Sequence, residues 1–210
     1  MNQETEAARY RAACESTFWQ AVFAAELEYL LRYLRPEDAI LSVGCGPAVI
    51  EGALLDLGFS VVGLEVSAEA LHGAPERLRT VVAGAEEMPF AAASFDVVIA
   101  IVSLQFIEDY QKAIANIAQV LRPGGRVIVM LLNPTSRFFR RKQSEPDSYM
   151  HKIRHTNLTL LERELAGYFA LEGEYFLGVN GTEIFPSQNP ETAALYVLRG
   201  IQGGTSICAR

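Results

Sequence analysis

The chain has 210 residues, half of them hydrophobic and a fifth charged, with a formal net charge of −7. That length supports one domain burying about 70% of the surface of its unfolded chain, and the acidic balance excludes a generic phosphate-binding face for nucleic acid. No apolar run approaches the ~20 residues of a membrane span, and Cys14, Cys45 and Cys208 are too widely spaced for a metal site or a disulfide framework. The acidic first residues lack the apolar centre of an export signal, so a reducing cytoplasm is the expected setting.

Residues 4–34 carry helical spacing. Phe18, Val22, Ala25, Tyr29 and Leu30 fall near one stripe, widened by Trp19, Phe23, Leu27 and Leu34 until Pro36 ends it. Residues 1–36 are expected to form a helical cover, in which Tyr10 and Trp19 either line a ligand pocket or pack in the core. The apolar run Ile40–Val43 then stops at Gly44-Cys45-Gly46, and helical spacing takes over from Val49 to Leu57. This pattern is a buried strand, a glycine turn and a helix start. Glycines let such a turn bend sharply and let a ligand approach, and the helix behind it offers unpaired N–H groups to an anion. Ser60–Leu64 is a second strand closed by Glu65, and Ser67 caps an expected helix through about Glu76. Glu65 lies 21 residues after Gly44. At a strand tip, an acceptor-only carboxylate in that position can take both hydroxyls of a ribose.

Leu78–Val82 reads as a third strand, Ala83–Phe90 as a loop ending in a proline turn, and Val97–Ala100 as a fourth strand. Helical spacing over Tyr110–Leu121 breaks at Arg122-Pro123-Gly124-Gly125, and Arg126–Leu132 is a fifth strand. Strands alternating with helices imply a parallel sheet covered on both faces. Ligands bind such sheets beyond the C-terminal strand ends, where Gly44, Glu65, the Gly84 loop and Ile101–Phe106 fall. Segment 133–156 opposes the acidic whole: Arg137, Arg140, Arg141, Lys142, Lys152 and Arg154 stand against Glu145 and Asp147, with His151 and His155 among them. It is expected to be a basic lid or substrate loop, or else a solvated loop. After a helix over Asn157–Tyr168, the strands Phe169–Val179 and Thr192–Ile201 are joined by too few residues for a parallel crossover and should pair antiparallel. The sum is a single α/β domain over 1–210, with a mostly parallel seven-stranded sheet ending in an antiparallel hairpin.

Three segments carry a family resemblance: Leu-Ser-Val-Gly-Cys-Gly-Pro-Ala (41–48) with Val-Gly-Leu-Glu-Val-Ser (62–67); Ala-Glu-Glu-Met-Pro-Phe-Ala-Ala-Ala-Ser-Phe-Asp-Val-Val (85–98); and Ala-Gln-Val-Leu-Arg-Pro-Gly-Gly-Arg-Val-Ile-Val (118–129). In this order the chain resembles the class I S-adenosylmethionine-dependent methyltransferases of the small-molecule, single-domain type. The resemblance implies a three-layer Rossmann-like methyltransferase fold and S-adenosylmethionine as cofactor. Gly44, Cys45 and Gly46 would pass under its methionine and ribose, Glu65 would hold the ribose hydroxyls, and Val66 would pack on adenine. Ala85 and Glu86 would edge the adenine ring, and Ile101 would face the methionine end. Ser42, Ala48, Gly84 and Phe106 depart from the family pattern.

Methyl transfer needs a general base only when the acceptor holds a proton tightly. His151, His155, Tyr149 and Glu86 are the candidates, and no two of them show the spacing of a dyad. Tyr10, Trp19, Gln105 and Arg137 are candidates for touching substrate. No metal is expected. The expected partner is a small-molecule substrate, anionic if the basic segment steers it, with no nucleic acid and no membrane, on a monomer or homodimer. The alternative is a non-catalytic S-adenosylmethionine-fold binding or regulatory protein.

Overall fold

A computed structural model gives the fold and describes residues 12–146 and 148–203. The chain runs through α1 (Thr17–Leu31), β1 (Ala39–Val43), α2 (Val49–Asp56), β2 (Ser60–Glu65), β3 (Arg79–Val82), β4 (Phe95–Ile101), α3 (Tyr110–Val120), β5 (Leu121–Leu132), α4 (Arg137–Ser144), α5 (Leu158–Ala166), β6 (Phe169–Asn180), β7 (Glu183–Phe185) and β8 (Ala193–Gln202). Short 3₁₀ turns sit at Ala85–Glu87, Leu104–Phe106 and Tyr149–Lys152.

The strands form one sheet in the order β3-β2-β1-β4-β5-β8-β6-β7. β1 to β5 pair parallel, and β8 lies antiparallel between β5 and β6. All seven expected strands are present. The eighth is β7, which folds back on β6 through a turn at Gly181 and pairs Asn180 with Glu183.

Alternation along the central strands divides the core in two. Ile40, Val97, Ile99, Ile128 and Met130 face a layer built by α1, α2 and α4, through Val22, Leu30, Ile50, Leu54, Phe138 and Phe139. Leu41, Val43, Val98, Ala100, Val127 and Val129 face α3 and α5, through Ala113, Ile114, Ile117, Leu161 and Leu165. Strands buried on both faces explain why β1 and β4 read as largely apolar runs, interrupted only by Ser42 and Asp96.

Three expectations change. The helical stretch over 4–34 is interrupted before Thr17, because Ser16 turns extended and its hydroxyl accepts the Trp19 N–H, starting α1 afresh. Ser67 does accept the Ala70 N–H, yet no helix forms from Ser67 to Glu76. Gly73 has a φ of 100°, and Pro75 has no N–H to continue a helical ladder. Segment 133–156, expected as a loop, is instead α4 and a 3₁₀ turn. Their Phe138, Phe139 and Met150 are buried in the core, and burial of these three holds the segment in place.

The N-terminal ends of the strands are tied by charge. Asp38, at the start of β1, accepts the Arg35 N–H and pairs with Arg126 of β5. Asp96 of β4 accepts the Ala39 N–H and an Arg122 N–H, and these bonds hold its carboxyl below the usual range. The Asp38 side chain is 5% exposed, so removing it leaves Arg126 partly buried without its anion. Asp38→Ala should lower stability by about 3 kcal/mol, measured as a fall in the urea midpoint at unchanged slope.

Candidate functional site

The chain leaves β1 through three residues with positive φ: Gly44 (71°), Gly46 (53°) and Ala48 (58°). The Gly44 and Cys45 N–H groups both donate to the Leu64 carbonyl, at 2.7 and 3.2 Å. On the other side the Ser103 hydroxyl donates to the Val43 carbonyl at 2.5 Å. The turn is thus stitched to the tips of β2 and β4, at the place where strand order reverses. A Cβ at Gly44 would lie 2.4 Å from the Ser103 Cβ, so glycine is required there for space as well as for φ.

Glu65 ends β2 beside this turn. One carboxylate oxygen accepts the Gly46 N–H at 2.9 Å, and the other accepts the Ser67 N–H at 3.0 Å. Its own carbonyl accepts the Ala83 N–H at 3.0 Å, which brings the loop holding Ala85 and Glu86 to the same edge. Val66 follows as an apolar side chain 71% exposed. Ala85 is buried, with its carbonyl held by Asn116. Ile101 ends β4 on the far side of the turn, half-buried against the first core layer. Gly44, Cys45, Gly46, Glu65, Val66, Ala85, Glu86 and Ile101 therefore share the C-terminal edge of the sheet.

A polar group lies below the turn. The Ser42 hydroxyl of β1 donates to Glu51 of α2 at 2.5 Å. Both are buried, and so is Glu26 on α1. Burial pushes the Glu26 carboxyl up to about 8, helped by the charge of Glu51. Burial also raises Glu51, to about 7, against the lowering effect of the Ser42 hydroxyl and of its own backbone N–H. The Cys45 thiol is pushed well up by burial, then by the charges of Glu51 and Glu65. Sequence reading passed over both glutamates. The signal was available: Glu26 falls on the stripe of Val22, Tyr29 and Leu30, and Glu51 between Ile50 and Leu54.

Aromatic side chains bridge α1 and α4 on this side of the sheet. Phe18 meets Trp19 edge-on at 5.2 Å and lies 6.1 Å from Phe138, while Trp19 stacks on Phe23 at 6.1 Å. Trp19 is half-buried in this layer, and Tyr10 lies outside the described residues.

The other candidates have structural partners. Gln105 is fully buried. Its amide donates to the Leu132 and His155 carbonyls and its oxygen accepts the Leu132 N–H, so it clamps β5 to the segment at 155. The His155 ring donates to the Ile107 carbonyl at 2.9 Å and lies edge-on to Tyr110. The His151 ring donates to the Gln143 carbonyl at 2.8 Å. Tyr149 packs on Phe106 at 4.9 Å. Arg137 is exposed and 3.9 Å from Glu191. Among the described residues neither histidine is bonded to a carboxylate. Among the described residues no group of three or more His, Cys, Asp or Glu could hold a metal ion, and no helix is long and apolar enough to cross a membrane.

Comparison with known proteins agrees with this geometry. Residues 41–129 match the family model described as a methyltransferase domain. The chain is 30% identical over 149 residues to the biotin biosynthesis bifunctional protein of Cellvibrio japonicus, covering 69% of this chain and 30% of that one. It is 29% identical over 168 residues to the malonyl-[acyl-carrier protein] O-methyltransferase of Enterobacter lignolyticus, covering 78% of this chain and 63% of that one. The chain thus spans less than two thirds of the length of these curated relatives. In three dimensions it is similar to a SAM-dependent methyltransferase of Thermotoga maritima, described as a possible histamine N-methyltransferase, with a TM-score of 0.79, 19% identity, and 95% and 97% of the two chains covered.

The buried carboxylates make stability depend on pH. In the unfolded chain a glutamate ionises from about 4.5, whereas Glu26 in the fold keeps its proton to about 8. Between those values the unfolded state binds fewer protons, so stability falls as pH rises and levels off above about 8. Glu26→Gln should flatten that decline and raise the melting temperature at pH 9 relative to the parent, as read by calorimetry across pH.

Proposed function

We propose that this chain is a class I S-adenosylmethionine-dependent methyltransferase, as its match to a methyltransferase domain over residues 41–129 supports, and that it methylates a small anionic metabolite at an atom that needs no general base. Glu65 is the observation that carries the cofactor assignment. Each of its oxygens accepts one N–H and retains a further lone pair. A ribose presents two adjacent O–H donors, and this carboxylate, fixed from both sides by backbone, suits that pair. Val66 offers adenine an exposed apolar surface, and Gly44 to Gly46 offer the rest of the cofactor a surface without large side chains.

S-adenosylmethionine supplies a methyl group already activated by its sulfonium. What remains for the protein is to bind, to align and to exclude water, a contribution of several kcal/mol through proximity. Two observations favour an anionic acceptor without a base. The rings of His151 and His155 each donate one N–H to a backbone carbonyl, and among the described residues no carboxylate is bonded to either to raise its basicity. Segment 133–156 keeps an excess of positive charge in an acidic chain; its ion pairs at Arg137, Lys142 and Arg154 are exposed ones, which contribute little and leave the field largely intact. An ionised carboxylate carries its own lone pair and needs no proton removed.

Titration calorimetry with S-adenosylmethionine should show binding, and Glu65→Ala should weaken it by about tenfold or more, as loss of charged hydrogen bonds at about 1.5–3 kcal/mol each implies. Unchanged affinity in that variant would sink the ribose assignment. A methyl-transfer assay over small carboxylates and their neutral amides should find turnover among the carboxylates. Binding with no turnover on any acceptor would favour a non-catalytic cofactor-binding protein.

A further inference from the structure

The peptide unit between Val43 and Gly44 is held at both of its polar ends, by different neighbours. Its N–H, on Gly44, donates to the Leu64 carbonyl of β2 at 2.7 Å. Its C=O, on Val43, accepts the Ser103 hydroxyl at 2.5 Å. The ladder between β1 and β4 has already ended, with Ser42 opposite Ile99, so a side chain takes over where backbone pairing stops. Ser103 reaches this place through a conformation that β-branched residues rarely adopt: Val102 has a φ of 50°, and its N–H donates to the Met130 carbonyl of β5 at 2.8 Å. Beyond Ser103 the chain is fixed again. The Ser103 carbonyl accepts the Phe106 N–H, and the Gln105 side chain is bonded to both polar backbone groups of Leu132. The hydroxyl is thus set on a rigid support.

A peptide plane turns over when the ψ before it and the φ after it change in opposite senses, with little effect on the path of the chain. Here those angles belong to Val43 and Gly44. Gly44 sits at a φ of 71°, and a glycine accepts the opposite sign as readily. Val43 would pass from the extended to the helical region, which is open to any L-residue. We propose that Ser103 is a positioning residue: its hydroxyl blocks this flip of the Val43–Gly44 peptide and so keeps the glycine turn in the form that receives the cofactor. Ser103 acts through Val43 and not by touching the ligand. This rests on the cofactor reading given above.

The cost of losing the hydroxyl falls on the turn. Val43 is buried, so its carbonyl has little access to water, and an unpaired buried acceptor is unfavourable. A flip relieves it and breaks the Gly44 bond to Leu64 at the same time. The turn that brings the Gly46 N–H to Glu65 then starts from the wrong plane. A turn that is only partly in the receiving form lowers the apparent affinity of every ligand by the fraction lost. That factor is the same for S-adenosylmethionine and S-adenosylhomocysteine. It appears in the association rate, because the complex once formed is the same. A side chain in direct contact with the ligand acts instead on the dissociation rate.

The test compares the whole chain with Ser103→Ala and Ser103→Thr. Hydrogen exchange read by NMR on the ligand-free proteins should show the Gly44 amide protected in the parent and in Ser103→Thr, and exchanging faster in Ser103→Ala. Binding kinetics with S-adenosylmethionine and with S-adenosylhomocysteine should show both weakened in Ser103→Ala by one common factor, about three- to tenfold, the loss that one neutral hydrogen bond implies. The loss should lie in association, with dissociation unchanged, and Ser103→Thr should restore it. Unchanged affinities, a loss that lies in dissociation, a loss that persists in Ser103→Thr, or equal exchange at Gly44 in parent and Ser103→Ala overturns the inference and leaves the cofactor assignment standing. Absence of binding of either ligand to the parent overturns both. Should the variants not fold, the parent decides: a Gly44 amide that exchanges as fast as an open turn overturns the inference, and a protected one upholds it.

Discussion

Between β1 and α2 the backbone must reverse within five residues, and it does so with Gly44, Gly46 and Ala48 in the left-handed region. Ala48 holds this conformation with a side chain attached, at a cost of about 1 kcal/mol or more. The position is over-determined: β2 grips the turn through the Leu64 carbonyl, and β4 grips it through the Ser103 hydroxyl. Val102, just before Ser103, is itself at positive φ (50°) and donates to Met130 of β5. Four strand ends thus constrain one turn. Its geometry fixes where Gly46 meets Glu65 and where α2 begins, and hence where Glu51 lies. The rest of the site follows from those placements.

The core beneath that turn breaks an ordinary rule. Carboxylates on the inner face of a helix usually come with a cation or a metal. Glu26 and Glu51 come instead with a hydroxyl and with each other. Apolar side chains in the same places would make the fold more stable across pH. Departures of this kind concentrate where a protein binds or reacts, because there local stability is traded for a field of chosen sign. The Asp38–Arg126 pair at the opposite end of the sheet is the contrasting case: its charges are matched, and their task is to join β1 to β5.

Much of the architecture is legible in the amino-acid order. Ile40–Val43, Val97–Ala100 and Arg126–Leu132 are largely apolar runs, the first stopped by Gly44 and the last by Asn133-Pro134, and they become strands because both faces of the sheet are covered. The antiparallel pairing of the last two long strands follows from the shortness of the chain between them. Glu65 is placed by its distance from Gly44 alone. What the order of residues hides is tertiary. Ser67 is a good cap, but Gly73 and Pro75 decide against a helix. Phe138 and Phe139 lie in a basic stretch that reads as solvated until the groove that accepts them is seen. Gln105 resembles a substrate contact by position, and only the Leu132 and His155 backbone groups show that its amide is spent on them. Glu26 and Glu51 were visible to helical periodicity, but their charge made an outward reading natural.

The place of β8 has a consequence for how the molecule comes to be. Its residues Ala193–Gln202 insert between β5 and β6, pairing with Arg126–Leu132 on one side and with β6 from Phe169 to Gly178 on the other. Until they emerge during synthesis, β5 has an open edge and β6 has no route into the sheet. The parallel half can assemble early, yet it waits with unpaired N–H and C=O groups along a strongly apolar strand. Contacts of such long sequence separation slow folding and leave a partly formed sheet open to pairing with other chains. Closure by a segment made after both β5 and β6 therefore makes folding yield, more than final stability, the quantity most sensitive to changes in Ala193–Gln202.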